Sequence, residues 1–181
     1  MNFEEKTLSQ TYPYKGRIIN LRKDTVALQD GKEAVREVVE HNGGVCVAAL
    51  TDEGEVLLVE QFRYPYKKML LEIPAGKLEK GEEPEKCGRR ELAEETGAQA
   101  EQFISLGQLY PSPGYCAEII YMYAAAGLSF GEQHLDEDEF LSVKRIKLED
   151  AVNMVLDNRI EDAKTQAALL KLYLLKDRIF K

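Results

Sequence analysis

The sequence predicts an α/β fold, a mixed sheet sandwiched between helices and preceded by a small N-terminal antiparallel β unit. Three observations lead there. First, the continuous apolar run Gly43 to Leu50 (GGVCVAAL) suits a buried strand, and after the turn Asp52-Glu53-Gly54 a second run follows from Glu55 to Glu60. Second, Pro84 suits the first turn of a helix and Gly97 its C-terminal cap, bracketing a helix of roughly 83 to 96. Third, strand-like and helix-like segments keep interleaving beyond Gly97.

In chain order, residues 3 to 40 read as strands joined by turns. Ile18, Ile19, Leu21, Val26 and Leu28 alternate in places, and Asp30-Gly31 is a hairpin signal between two runs. The expected division is an N-terminal β unit over 1–41 and a main domain over 42–181. Leu70 to Ile73 reads as a short strand leading into Pro74-Ala75-Gly76. Gly88, inside the bracketed helix, costs about 1 kcal/mol in propensity, which points to close packing there or to a tolerance for function. Strands are expected at about 102 to 109 and 118 to 126, then a loop from Gly127 to Asp138 and a strand from about 139 to 147. Leu148 to Leu156 and Asp162 to Ile179 read as helices; in the second, Ala167, Leu170, Tyr173, Leu174 and Ile179 recur at helical spacing and are expected to pack.

Composition narrows the function. Hydrophobic residues at 44% and charged residues at 31% are ordinary for a globular domain. A net charge of −8 argues against nucleic acid as a partner, because phosphate neutralisation needs clustered Lys and Arg. No apolar run reaches the length of a membrane span and the start, MNFEEKTLSQ, lacks a signal-peptide core, so a cytoplasmic location and no membrane partner are expected. Cys46, Cys87 and Cys116 are odd in number and widely spaced, indicating neither a disulfide framework nor a zinc knuckle. His41 and His134 are too few and too distant for a histidine-based site.

The stretch Gly76 to Ala98, GKLEKGEEPEKCGRRELAEETGA, carries the chemistry. Glu91, Glu94 and Glu95 stand at i, i+3 and i+4, so on a helix their carboxylates share a face, where like charges repel. A hard divalent cation, which takes oxygen ligands and lets phosphate oxygens complete its shell, resolves that repulsion.

This stretch resembles the Nudix box of the Nudix hydrolases, G-x5-E-x7-R-E-U-x-E-E-x-G-U with U a bulky aliphatic residue. Gly76, Glu82, Arg90, Glu91, Leu92, Glu94, Glu95 and Gly97 match, and Ala98 is small for the last position. Chance would reproduce the fixed positions on the order of once in 10⁷ chains of this length. The resemblance implies the Nudix α/β/α sandwich over about 42 to 180 and hydrolysis of a nucleoside diphosphate linked to another moiety. It implies Mg²⁺, with Mn²⁺ as an alternative, held by Glu91 and Glu95 and by a carbonyl near Ala75. Glu94 is a third ligand or a supporting residue, and Arg90 either orients a glutamate of the box such as Glu82 or touches substrate.

Outside the box, Pro113 stands 16 residues after Gly97 (113 − 97), in Tyr110-Pro-Ser-Pro-Gly-Tyr115. A proline at that distance resembles the ADP-ribose pyrophosphatase subfamily, although Pro-Ser-Pro-Gly is also an ordinary turn. On that resemblance Glu118 orients loop or substrate, or is a surface glutamate. In the acidic run 136–139, Glu137 is the base for the attacking water with Glu139 in support; one residue of slip exchanges these roles, and a solvated turn is the competing reading. Arg63 resembles the phosphate-contacting arginine. Arg36 lies in a segment that in relatives crosses to the partner subunit and frames the adenine, so a homodimer exchanging N-terminal strands is expected. Guanidinium suits both tasks, and a surface salt bridge is the alternative for each. The implied reaction is ADP-ribose plus water to AMP and ribose 5-phosphate. The rivals are the same chemistry on a nucleotide sugar such as GDP-mannose or on a dinucleotide, and a ligand-sensing domain without catalysis.

Overall fold

In the computed structural model, which describes residues 3–135 and 139–180, the chain forms two compact units. The first comprises the described residues up to Gly43 together with Tyr110–Ile119; the second comprises the rest. The sequence offered no sign that a segment so far downstream belongs with the N-terminal strands.

In the first unit β1 (Lys6–Lys15), β2 (Asn20–Ala27) and β3 (Glu33–Glu40) make one antiparallel sheet in the order β1-β2-β3. The β2–β3 hairpin turns at Asp30-Gly31, where Gly31 takes φ 82° and the Leu28 N–H donates to the Lys32 carbonyl at 2.8 Å. Downstream, the Tyr115 carbonyl accepts from the Val39 N–H (2.8 Å) and the Ala117 N–H donates to the Val39 carbonyl (2.9 Å), which ties the Pro-Ser-Pro-Gly loop to the end of β3.

The second unit contains β4 (Gly44–Ala49), β5 (Glu55–Arg63), β6 (Lys68–Glu72), β7 (Ala75–Lys77), α1 (Pro84–Thr96), β8 (Ala98–Leu109), β9 (Ile120–Phe130), β10 (Leu141–Lys147), α2 (Leu148–Leu156) and α3 (Ala163–Ile179). One sheet runs β7-β4-β9-β8 and is mixed, with β4 and β9 parallel; the other, β10-β5-β6, is antiparallel. Both faces of the central strands are covered, which is why they read as unbroken apolar runs. Along β4, Val45, Val47 and Ala49 join Leu57, Cys87 and Leu92 in the cluster beneath α1. Cys46 and Ala48 point the other way, into the cluster shared with Val152, Leu169 and Leu172 of α2 and α3. The period-2 alternation of one strand thus builds both cores.

Two expectations are corrected. The ladder of β8 and β9 continues through Ala98↔Phe130, Gln99↔Ser129 and Ala100↔Leu128, so residues 127–130, read as the start of a loop, are strand. Gly127 accommodates this with φ 64° inside β9. In α3 the buried face is Thr165, Ala168, Leu169 and Leu172, whereas Tyr173 and Leu174 are exposed. Ala167, Leu170 and Ile179 pack at its margin.

Candidate active site

Pro84 opens α1 at its first turn, and Gly97 closes it at φ 70°, its N–H donating to the Ala93 carbonyl at 2.8 Å. The inward face of the helix is Cys87, Gly88, Glu91, Leu92 and Glu95. A Cβ on Gly88 would sit 2.9 Å from Phe103 and 3.0 Å from Val45, so a side chain there would push those neighbours aside. The apolar anchors Cys87 and Leu92 carry Glu91 and Glu95 inward with them, to 8% and 2% exposure. Glu94 is partly exposed and accepts from Arg90 Nη1 at 2.8 Å, the same nitrogen that lies 2.9 Å from Glu91 Oε1.

Residues Ile73 to Gly76 frame the two buried carboxylates. The Ala75 N–H donates to Glu95 Oε2 at 2.9 Å, and the Pro74 carbonyl accepts from the Val47 N–H at 2.9 Å. A Cβ on Gly76 would fall 1.8 Å from the carboxyl carbon of Glu91, so only glycine admits that carboxylate. Burial pushes the Glu91 carboxyl up to about 7, opposed by Arg90 and reinforced by the charges of Glu94 and Glu139. Burial likewise pushes Glu95 up to about 8, opposed by the Ala75 N–H and reinforced by Glu91 and Glu139. Arg90 is the hub of the motif. Its Nε and Nη2 donate to Glu82 at 3.1 and 3.2 Å, and Nη1 lies 2.9 Å from Glu91 Oε1. The guanidinium, helped by the Glu79 N–H, holds the Glu82 carboxyl down at about 2.

The other expected residues of this unit fall as follows. Arg63 donates to Glu72 through Nε (2.6 Å) and Nη2 (2.7 Å), and Glu95 is among the charges acting on it. The Gly131 and His134 N–H groups donate to the Gly97 and Glu94 carbonyls at 2.8 and 3.0 Å, and the Gln133 amide to the Glu95 carbonyl at 2.5 Å. The chain is thereby fastened to the C-terminal end of α1 just before the acidic run. Glu137 lies outside the described residues; Glu139 is described, and its charge acts on both Glu91 and Glu95.

In the first unit a cavity of about 490 Å³ is lined by Arg36, Glu37, Asp24, Val26, Gly114 and Tyr115, among others. Arg36 and the loop around Pro113, picked out separately in the sequence, thus meet at one place. Arg36 Nε donates to Glu5 Oε2 at 2.9 Å, Pro113 lies in the turn closed by Ser112, and Glu118 Oε1 lies 3.4 Å from His41 Nδ1.

Sequence reasoning missed Glu72, which is 1% exposed and binds Arg63 and Lys164. A glutamate set in the apolar stretch Met69–Ile73 was the available signal, since burial of a charge demands partners. Burial alone would raise its pKa, but Arg63 and Lys164 outweigh that and hold it at about 2.

Among the described residues no three His, Cys, Asp or Glu side chains form a ready metal cluster. The donor set nevertheless fits a hard divalent cation that also takes oxygens from its substrate. Two buried carboxylates repel one another, and the missing side chain of Gly76 lets the Glu91 carboxylate lie directly against the backbone. Glu91 and Glu95 would hold such an ion; at Ala75 the contact present is the N–H to Glu95.

The chain belongs to the Nudix family: the NUDIX domain model matches residues 40–170, and the model of the nucleoside diphosphate sugar hydrolase N-terminal domain matches 5–39. It is 45% identical over 175 residues to an ADP-ribose pyrophosphatase of Bacillus subtilis (strain 168), covering 96% of this chain and 95% of that protein. It is also 45% identical over 174 residues to a methanol dehydrogenase activator of Bacillus methanolicus, covering 95% and 94%. A solved structure described as an ADP compounds hydrolase superposes with a TM-score of 0.85 over 98% of both chains at 20% identity, a likeness of fold. Nudix hydrolases generally use divalent metal ions.

Gly76→Ala is expected to leave the fold intact while displacing the Glu91 carboxylate, lowering turnover by about 100-fold, the effect of a displacement of roughly 1 Å at a reacting site. Near-wild-type turnover by a folded Gly76→Ala protein would contradict the cradle.

Proposed function

We propose that this protein hydrolyses the diphosphate of ADP-ribose, giving AMP and ribose 5-phosphate, with Mg²⁺ as its ion and Mn²⁺ as a substitute. The observation that carries the reading is the buried Glu91–Glu95 pair framed by the Ala75–Gly76 backbone. A cation there would neutralise charge on the diphosphate oxygens, which leaves the protein the tasks of orienting groups and moving one proton. Arg90 fixes Glu91 and Glu94, and Arg63, held along one edge by Glu72, offers its remaining N–H groups to phosphate. The proton of the attacking water passes to a glutamate of the acidic run, Glu137 with Glu139 in support. Glu139 lies within electrostatic reach of both buried carboxylates. The cavity that joins Arg36 to Gly114 and Tyr115 offers a guanidinium and an aromatic ring to the adenine, and the ADP-ribose pyrophosphatase relative supports that assignment. The location is proposed to be the cytoplasm; among the described residues no helix is long and apolar enough to cross a membrane.

A second reading, the same hydrolysis on a nucleotide sugar, has the match to the nucleoside diphosphate sugar hydrolase N-terminal domain in its favour. Release of nucleoside monophosphate from ADP-ribose, GDP-mannose, NADH and diadenosine polyphosphates separates them. A kcat/KM for ADP-ribose about tenfold above the others, abolished by chelator, is the expected outcome. Better turnover of GDP-mannose would transfer the assignment to the second reading, and no turnover of any compound would favour a sensing domain.

The protein is further proposed to be a homodimer. Strand β1 is exposed along its whole length, and Leu8, Tyr12, Tyr14, Ile18, Ile19 and Val35 expose apolar surface that a second copy would cover. Sedimentation equilibrium is expected to return twice the 20.5 kDa chain mass, and deletion of residues 1–40 a monomer with impaired substrate affinity. A full-length monomer with full activity would exclude the exchange of strands.

A further inference from the structure

The first turn of α3 lies outside every motif described so far, yet two of its bonds lead toward the site. Asp162 caps the helix: its Oδ2 accepts from the Thr165 N–H (2.9 Å) and from the Thr165 hydroxyl (2.6 Å). With its proton committed to Asp162, the Thr165 hydroxyl oxygen accepts from the Ile73 N–H at 3.0 Å, in a position of 0% exposure. Pro74 has no N–H to give, and the Ala75 N–H goes to Glu95. Residues 73–75 are therefore a short strut, fixed at one end by Thr165 and bonded at the other to a buried carboxylate of the site.

The second branch runs through charge. Lys164 Nζ bonds Asp162 Oδ1 at 3.0 Å and Glu72 Oε2, and Glu72 holds Arg63 by both of its oxygens. Arg63, Glu72, Lys164 and Asp162 form a charge-balanced quartet, so Glu72 stays ionised in burial and grips one edge of the Arg63 guanidinium. Among the described residues Arg63 Nη1 takes no partner, which leaves the opposite edge to face a ligand.

We propose that the turn Asp162–Thr165 positions both halves of the active site, fixing the Ala75–Glu95 contact through the Thr165 hydroxyl and the Arg63 guanidinium through Lys164 and Glu72. The inference rests on the reading of Glu95 as a metal ligand and of Arg63 as a phosphate contact. Neither Thr165 nor Lys164 touches a reacting atom; both are positioning residues.

The two branches have separable signatures. Thr165→Val keeps the shape of the side chain but strands the Ile73 N–H, so Mn²⁺ binding to the full-length protein, read by electron paramagnetic resonance, is expected to weaken about tenfold. Thr165→Ser, which keeps the hydroxyl, is expected to bind Mn²⁺ within about twofold of wild type. Lys164→Met is expected to raise the KM of the substrate about tenfold through Arg63 with Mn²⁺ affinity unchanged, and Lys164→Arg to restore KM. If Thr165→Val does not fold, Asp162→Asn is measured in its place. Folded Thr165→Val and Lys164→Met proteins with wild-type Mn²⁺ affinity and KM would overturn the proposal, as would losses that the hydroxyl and the charge fail to rescue. Should ADP-ribose not be the substrate, KM is read on the compound that is hydrolysed; the Mn²⁺ measurement needs no turnover, so failure of the substrate assignment remains distinguishable from failure of this one.

Discussion

The rest of the site depends on one costly arrangement, two carboxylates buried side by side. Glu91 and Glu95 lose their hydration against the Ala75–Gly76 backbone, and the charge of Glu91 adds to the proton affinity of Glu95. Burial of an ion costs several kcal/mol when nothing compensates it. The surrounding structure supplies part of that compensation, one N–H from Ala75 and one guanidinium N–H from Arg90, and a divalent cation would supply the rest. Folding alone gives no reason to keep these side chains inside, since Cys87 and Leu92 already secure the helix to its sheet.

An acidic chain that handles a polyanion must concentrate its positive charge. Here that charge is concentrated and individually restrained. Arg90 is shared among Glu82, Glu91 and Glu94; Arg63 and Lys164 converge on Glu72; Arg36 meets Glu5 beside a cavity. A guanidinium held along one edge keeps its remaining donors pointed in a fixed direction, which lowers the ordering cost when phosphate arrives.

Much of this was legible in the sequence where chemistry and spacing coincide. The box positions from Gly76 to Gly97 were readable because the Nudix box fixes particular residue types at particular offsets. Strands β4 and β5 were readable because burial on both faces leaves an unbroken apolar run. Local signals misled at Gly127, where a turn residue sits within a strand whose partner register decides the matter. They also misled in α3, where a pattern of apolar residues at helical spacing did not reveal which face meets the sheet. Nothing local announced that Tyr110–Ile119 joins the N-terminal unit through Val39, or that Lys164 reaches Glu72 across 92 positions. Those contacts exist only once the chain has folded.

Binding of Mn²⁺ to the full-length protein and to its Glu95→Gln variant tests the Glu91–Glu95 pair as a cation site without recourse to substrate. The expected result is a bound ion in the wild-type protein whose affinity falls about tenfold or more in the variant. Equal binding by both proteins, each folded, would mean that the buried carboxylates serve some other purpose and that the metal lies elsewhere.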